Sequence, residues 1–205
     1  IETITERNPN PYDGEPYYNL GWCLLLQGKP EEAYPHFYKA TWNSAWQDSS
    51  YYSIAQIDLA NGNLDLALEN VERSLVKNWH NHKARQLKAT ILRKMGENPK
   101  ALRWVEDSLE IDGFNVGCLF EKYLLTNNCK DINHVKNILN NNPHTFIEYA
   151  LDFIHCGCYD EAIRLLTYFE NPKSNPMISY TIAYAYSLSG NQKRAKDFVK
   201  KAMTA

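Results

Sequence analysis

The sequence has no uninterrupted apolar run of the roughly 18 to 20 residues that a membrane-spanning helix needs. It also has no excess of basic residues, because 22 Lys and Arg stand against 24 Asp and Glu, for a net charge of −2. Proteins that bind nucleic-acid phosphates usually carry a strong basic excess, so no nucleic-acid partner is expected. The chain begins at Ile1, without a methionine or an apolar signal core. We therefore expect a processed chain or a piece of a longer one. The expected location is the cytoplasm, and a signal peptide that has been removed is the alternative.

Patterns of common catalytic sites are also missing. The sequence contains no phosphate loop, no G-x-S-x-G turn, no dinucleotide fingerprint and no HExxH among its six histidines. Its five cysteines are odd in number and scattered, unlike a disulfide framework. Cys156 and Cys158 flank Gly157 beside His155, which leaves a metal or redox site as one interpretation. We favour the interpretation that the two cysteines are simply small residues beside a turn, because no second ligand pair lies at zinc-site spacing. The prediction is a non-enzymatic protein without cofactor or metal.

The sequence does contain a repeat of 34 residues. Four columns of small residues keep this spacing over three units: Gly21, Ala55 and Ala89; Gly28, Gly62 and Gly96; Ala33, Ala67 and Ala101; Ala40, Ser74 and Ser108. Two helices approach to about 8 Å only where their side chains are small. A glycine just after a helix accepts the left-handed backbone conformation without steric cost. The columns therefore predict pairs of packed helices, each with a glycine turn between its members.

This pattern resembles the tetratricopeptide-repeat (TPR) family, whose repeat is also 34 residues long. The match is best at Leu20-Gly21, Gly28, Ala33, Phe37 and Ala40. The resemblance implies an all-α, right-handed solenoid of about six helix pairs, whose groove is lined by the first helix of each pair. A sheet is not expected.

The predicted organisation is one continuous solenoid. Residues 1–13 form a linker or lead segment, 14–115 three regular units, 116–142 a degenerate short repeat, and 143–205 two further units. The unit boundaries are 14–47, 48–81, 82–115, 116–142, 143–175 and 176–205. In the truncated fourth unit, helices are expected near 118–126 and 132–140. Pro35 lies within the second helix of the first unit and predicts a kink or a delayed start.

Two short segments, 13–21 and 39–48, carry a narrower resemblance. They are similar to bacterial proteins whose TPR array follows a large β-sandwich domain of carbohydrate-enzyme appearance. This resemblance implies that any chemistry belongs to a domain upstream of Ile1.

The family resemblance also supplies candidate groove residues. In the first two units they are Tyr18, Trp22, Tyr52 and Gln56, and in the third they are Lys83, Gln86, Arg93 and Lys94. The three aromatic residues fit a contact surface, and they equally fit packing between neighbouring repeats. The basic third unit fits an acidic peptide, although a solvated helix face is the interpretation we favour.

Family members that clamp the C-terminal carboxylates of chaperones use lysine and asparagine at fixed groove positions. Here those positions hold Tyr18, Trp22 and Ser53, and only Lys83 fits, so chaperone-tail binding is rejected. Trp42 and Trp46 lie in a turn that would normally be polar. We interpret Trp42 as local core and Trp46 as a contact or sugar-stacking residue, and both count as candidate aromatic contacts.

The expected function is therefore a protein-protein or domain-domain interaction module. Its partner is a protein or peptide, with the missing N-terminal domain of the same polypeptide as one candidate and self-association as another. The alternative function is the C-terminal accessory region of a carbohydrate-active enzyme. The N-terminal end, with Tyr17, Tyr18 and Trp22 after the Asn- and Pro-rich stretch 8–11, is the predicted docking side. The lysine-rich last helix is predicted to be a solvated cap.

Overall fold

The computed structural model describes residues 13–169 and 175–204. The lead segment 1–13, including the Asn- and Pro-rich stretch, lies outside the described residues except for Asp13. Within the described ranges the chain forms twelve α-helices and no strand, so the all-α solenoid class is confirmed. The chain divides into two compact units, Ile1–Glu97 and Asn98–Ala205. The boundary between them falls within the predicted third repeat, 82–115.

The unit Ile1–Glu97 contains five helices in its described part, from residue 13 onward. They are α1 (Glu15–Leu26), α2 (Pro30–Ala40), α3 (Gln47–Ala60), α4 (Leu64–Lys77) and α5 (His82–Lys94). A short 3₁₀ turn, Ser44–Trp46, precedes α3. Helix α1 packs on α2, α2 on α3, α3 on α4 and α4 on α5.

Seven helices lie in the described residues of the unit Asn98–Ala205. They are α6 (Asn98–Ile111), α7 (Val116–Thr126), α8 (Cys129–Leu139), α9 (Pro143–His155), α10 (Tyr159–Leu166), α11 (Pro176–Leu188) and α12 (Gln192–Met203). Helices α7 and α8 begin two or three residues earlier than the truncated fourth repeat predicted. The pairs α7–α8, α9–α10 and α11–α12 each pack together, and α11 also contacts both α9 and α10.

Glycine turns join the helices of most pairs. Five glycines have a left-handed backbone, with φ between 74° and 82°: Gly28, Gly62, Gly96, Gly157 and Gly190. The predicted conformation of this column is confirmed. The truncated pair has no glycine here, and Asn127 takes the left-handed conformation instead, with φ of 52° at the end of α7. Asparagine tolerates this region better than most side chains do.

The small-residue columns lie where paired helices touch. An ideal Cβ placed on Gly21 would lie 2.8 Å from a ring carbon of Phe37, well inside van der Waals contact. Ala33 and Phe37 on α2 have no exposed surface. They form one core cluster with Leu20 and Ile54, on neighbouring helices. Glycine on α1 therefore makes room for an aromatic ring on α2.

Two carboxylates tie helices together. Asp48, in the first turn of α3, accepts hydrogen bonds from Ser74 Oγ at 2.6 Å and from Asn78 and Asn81 Nδ2 at 2.8 and 2.9 Å. This one side chain therefore joins α3 to the end of α4 and the start of α5. Asp58, buried on α3, accepts from Asn70 Nδ2 of α4 at 2.8 Å.

The structure rules out one of the two expectations for Pro35. Helix α2 begins at Pro30, so the delayed start was wrong. Pro35 lies inside α2 on its exposed side, where its ring points away from the buried face. The N–H that proline lacks would have bonded to the carbonyl of Glu31, in the first turn. Helix α2 therefore loses only one backbone hydrogen bond, near its start.

The contact between Gly21 and Phe37 yields a first prediction. We expect Gly21→Ala to lower the free energy of unfolding by about 1 to 3 kcal/mol, because the new methyl group would overlap a buried ring. The gain in helix propensity, about 1 kcal/mol, opposes this loss. Gly113→Ala is the control, because its Cβ would lie 3.8 Å from the nearest atom. Urea unfolding measures both. Parental stability of Gly21→Ala would contradict the close-packing account.

Asp58 yields a second prediction. Burial raises the pKa of its carboxyl above the ordinary 3.8, against the lowering effect of the hydrogen bonds from Asn70 and Tyr34. The folded state therefore binds this proton more tightly than the unfolded state. The associated stability is fully present below pH 3.8 and is lost as pH rises through the raised folded pKa.

Asp58→Asn keeps a hydrogen-bond acceptor and removes the charge. We expect the stability of the parent relative to this variant to fall as pH rises above 3.8, and then to level off. Urea unfolding of both proteins across acidic and neutral pH measures the difference. The exposed Asp65→Asn variant controls for removal of a carboxylate in general. A difference that stayed constant with pH would show that Asp58 titrates alike in both states.

Candidate functional site

The predicted groove residues all lie in the unit Ile1–Glu97, on the first helices α1, α3 and α5. We call this surface the first-helix face: Tyr18, Trp22, Tyr52, Gln56, Lys83, Gln86, Arg93 and Lys94. It changes in character from aromatic on α1 to basic on α5.

The rings on α1 are half-buried. The centroids of Tyr18 and Trp22 lie 5.6 and 6.0 Å from that of Phe37, both in edge-on geometry. Such aromatic pairs add modest stability beyond the area that they bury. Each ring thus packs on the core cluster and keeps part of its surface exposed, and the Tyr18 ring also lies 4.9 Å from that of Trp46. Packing is therefore observed for both rings, and contact with a partner stays a prediction.

The two glutamines of the first-helix face are buried. Gln56 and Gln86 are only 1% and 5% exposed. Their predicted place on an open groove wall is therefore corrected to a supporting one. Gln56 Nε2 donates to the hydroxyl oxygen of half-buried Tyr52 at 3.1 Å. The Oε1 atom of Gln56 has no hydrogen-bond partner among the described residues.

Helix α5 carries five cations and no acidic residue, but two of the cations are structural. The Arg85 side chain is 1% exposed; its guanidinium lies 4.7 Å above the Trp79 ring and donates to the Trp79 carbonyl. Lys88 Nζ lies 2.7 Å from a carboxylate oxygen of Glu72 on α4.

The other three cations of α5 remain at the surface. Lys83 and Lys94 are exposed and Arg93 is half-buried. These three residues give the face its positive end.

The structure contradicts one of the two interpretations of the tryptophans in the turn. Trp42 is 68% exposed, so its interpretation as core was wrong. The Lys39 ammonium lies 3.5 Å from its ring centroid and covers one side of the ring. Trp46 is half-buried, with its ring 4.9 Å from Tyr18 and its Nε1 donating to Asp13 Oδ1 at 2.6 Å. Trp46 therefore secures the start of α1 and uses its N–H within the protein.

The cysteine pair in the other unit is buried. Cys156 Sγ donates to the carbonyls of Asp152 and Phe153, both at 3.3 Å. The hydrogen bond with Cys158, together with burial, raises the pKa of the Cys156 thiol well above its usual value. A neutral buried thiol is a poor nucleophile.

No group of three or more His, Cys, Asp or Glu residues in the described ranges could hold a metal ion. Those ranges also contain no helix that is both long and apolar enough to cross a membrane.

One polar cluster gave no signal in the sequence. In the unit Asn98–Ala205, the hydroxyls of Tyr123 and Tyr168 lie 2.5 Å apart, and Arg164 Nη2 donates to Tyr123 at 2.6 Å. The hydrogen bond with Tyr168 lowers the pKa of Tyr123, and the Arg164 charge adds to this effect. These residues are far apart in the chain and share no repeat column. The cluster ties α7 to α10 and to the turn after it.

The chain is similar to known repeat proteins. Residues 14–41 match the model of a tetratricopeptide repeat family. No curated protein matches the sequence. The fold is similar to that of a tetratricopeptide repeat protein from Parabacteroides merdae, with a TM-score of 0.57 and 15% identity over 98% of this chain and 89% of the other. It is also similar to YrrB, described as a TPR protein with an unusual peptide-binding site, with a TM-score of 0.51 and 17% identity over 98% and 90%.

These similarities support the coarse resemblance and the fold class. The matched segment 14–41 covers α1 and α2, which carry the best-matching residues. The structural neighbours share the all-α repeat fold. Neither finding extends to the narrower resemblance, which stays a prediction.

The half-buried rings of the first-helix face yield a third prediction. We expect Phe37→Ala to cost about 3 to 5 kcal/mol, as deletion of a buried ring does, and Trp22→Ala to cost clearly less. Trp22 leaves one side of its ring accessible, so less packing is lost. Thermal and urea unfolding of the two variants give the comparison. Equal losses would show that Trp22 is core and that the face has no aromatic surface to offer.

Proposed function

We propose that this chain is a non-catalytic protein-interaction module that binds a peptide or a protein domain along the first-helix face. The observation that carries the proposal is the composition of that face. Half-buried Tyr18, Trp22 and Tyr52 occupy α1 and α3, and the surface cations Lys83 and Lys94 occupy α5.

The rings suit binding because they are already ordered. Tyr18 and Trp22 rest on the buried Phe37 ring, so little side-chain freedom remains to be lost in a complex. Tyr52 shares a hydrogen bond with the buried Gln56. Aromatic side chains of this kind dominate the energetics of many interfaces.

The cations suit an acidic ligand. Lysine and arginine form charge-assisted hydrogen bonds to carboxylates and speed the encounter with an acidic partner. The structural cations Arg85 and Lys88 do not take part, because each is engaged within the unit. The face thus favours a ligand with apolar side chains toward α1 and α3 and acidic side chains toward α5.

Support for a peptide ligand also comes from YrrB, a protein of similar fold that is described as having an unusual peptide-binding site. Binding of a chaperone tail remains rejected. Ser53, at one of the positions concerned, is fully buried and donates to the Ser49 carbonyl at 3.0 Å.

The alternative function is the accessory region of a carbohydrate-active enzyme, with an aromatic residue stacking on a sugar. One observation favours it. Trp42 exposes 68% of its surface, and Lys39 covers only one side of the ring. An open indole face is suited to contact with the apolar side of a sugar ring.

The fourth prediction tests the first-helix face. Random twelve-residue peptides displayed on phage are selected against the full chain, and enriched peptides are resynthesised with a fluorophore. We expect enrichment of sequences that combine aromatic and acidic residues. Lys94→Glu should weaken their binding by about tenfold, because a like charge then faces the ligand. Fluorescence anisotropy gives the affinities.

Lys77→Glu is the matched control, because Lys77 is exposed at the end of α4 in the same unit but not on the face. It should leave affinity within about threefold of the parent. Equal effects of the two reversals would mean that only net charge matters and that the face is not the site. The alternative would be supported instead if no peptide is enriched, the chain binds a glycan array, and Trp42→Ala abolishes that glycan binding.

A further inference from the structure

The last helix pair has an apolar groove on its surface. A cavity of about 510 Å³ lies between α11 and α12. We call it the α11–α12 groove; its main lining residues are Tyr180, Ala183, Tyr184, Lys196, Val199 and Lys200. Tyr180 and Tyr184 are 47% and 52% exposed. Helix α11 contains no charged residue. An exposed apolar patch of this kind on a folded chain commonly marks a contact surface.

The equivalent surface of the preceding helix pair, α9–α10, gives a comparison for the α11–α12 groove. With the predicted spacing of 33 residues between the last two units, Ala183 is equivalent to Ala150. Lys196 and Val199 are equivalent to Ile163 and Leu166. Ala150, Ile163 and Leu166 are all buried, and α11 packs on both α9 and α10. One pair earlier, therefore, these three positions are buried, in a pair against which a further helix packs. The α11–α12 groove presents the equivalent positions with no covering helix among the described residues.

The charges beside the groove are all positive. Lys196 and Lys200 line it, and neither belongs to an ion pair among the described residues. Other cations of α12 are used elsewhere: Arg194 donates to the Tyr186 hydroxyl at 3.0 Å, and the Lys201 ammonium lies 4.2 Å from the Phe198 ring centroid. Asp197 is the single acidic residue of α12. The groove therefore combines an apolar floor with two available ammonium groups.

We infer that the α11–α12 groove is the docking site for an acidic amphipathic helix of a partner protein. A helix fits because the same face of the preceding pair takes one. Apolar side chains would contact Tyr180, Tyr184 and Val199, while glutamate or aspartate on the flank would pair with Lys196 and Lys200. A second copy of the chain fits less well, since a symmetric contact would bring these lysines against their own counterparts.

This site is separate from the first-helix face, which belongs to the other compact unit. It also revises the expectation of a solvated cap at this end. The lysines of α12 dominate the sequence pattern, but the exposed tyrosines of α11 leave an apolar floor between them.

The fifth prediction tests this inference on the full chain. The probe is a fluorescein-labelled synthetic helix of about 18 residues, with leucines along one face and glutamates on both flanks. The comparison peptide replaces every glutamate with lysine. Fluorescence anisotropy should show binding of the acidic helix at least about tenfold tighter than that of the basic one, with affinity falling as salt rises.

Two double variants locate the contact. Lys196→Glu with Lys200→Glu should weaken binding of the acidic helix by about tenfold or more. Lys193→Glu with Lys201→Glu makes the same change in net charge on the same helix, at residues that do not line the groove. It should stay within about threefold of the parent. Equal losses in the two variants would overturn the inference, because they would mark a nonspecific attraction.

A third variant tests the apolar floor. Tyr184→Ala should weaken binding about fivefold while the melting temperature stays near that of the parent, because half of the side chain is already exposed. Failure of the acidic helix to bind the parent would mean that the end is a solvated cap, and would overturn the inference. Sedimentation velocity without peptide tests whether a second copy of the chain occupies the groove instead. A dimer of the parent that Tyr184→Ala dissolves would assign the groove to a second copy and overturn the inference as well.

Discussion

The close approach of paired helices is the constraint on which the rest of this structure depends. It is most direct at Gly21, where any side chain would overlap the buried ring of Phe37. Ala33 meets the same requirement in the same pair and Ala67 in the next one, and both are fully buried. Because small side chains let helices pack at short distance, large residues nearby can interdigitate and fill the core. A repeated small residue thus fixes a repeated helix pair.

This constraint governs one side of each helix and leaves another side for contacts outside the pair. In the unit Ile1–Glu97, Tyr18 and Trp22 on α1 pack partly on the core cluster and are held in place by it. The Asp48 hydrogen bonds add rigidity where α3, α4 and α5 meet. A binding surface on such a framework changes little on complex formation, which lowers the entropic cost of binding.

Several charged side chains of this protein are engaged within the fold. Arg85 is buried over a tryptophan ring, and Lys88 is paired with Glu72, although both belong to the most basic helix of the first unit. In α12, by contrast, Lys196 and Lys200 stand beside an apolar groove. A count of charges along a helix therefore says little about its surface until the partners of each charge are known.

The sequence by itself determined the helix pairs of the described residues and the glycine turns within most of them. These features depend on local sterics: a left-handed turn needs Gly28 or Gly62, and a close helix contact needs a column of alanines. Only the tertiary structure decided which polar and aromatic side chains are exposed. Gln56 is buried although the repeat pattern places it on the groove, and the role of Trp46 depends on a hydrogen bond to Asp13, 33 residues away. Exposure is set by neighbours distant in the chain, and the repeat pattern carries no information about them.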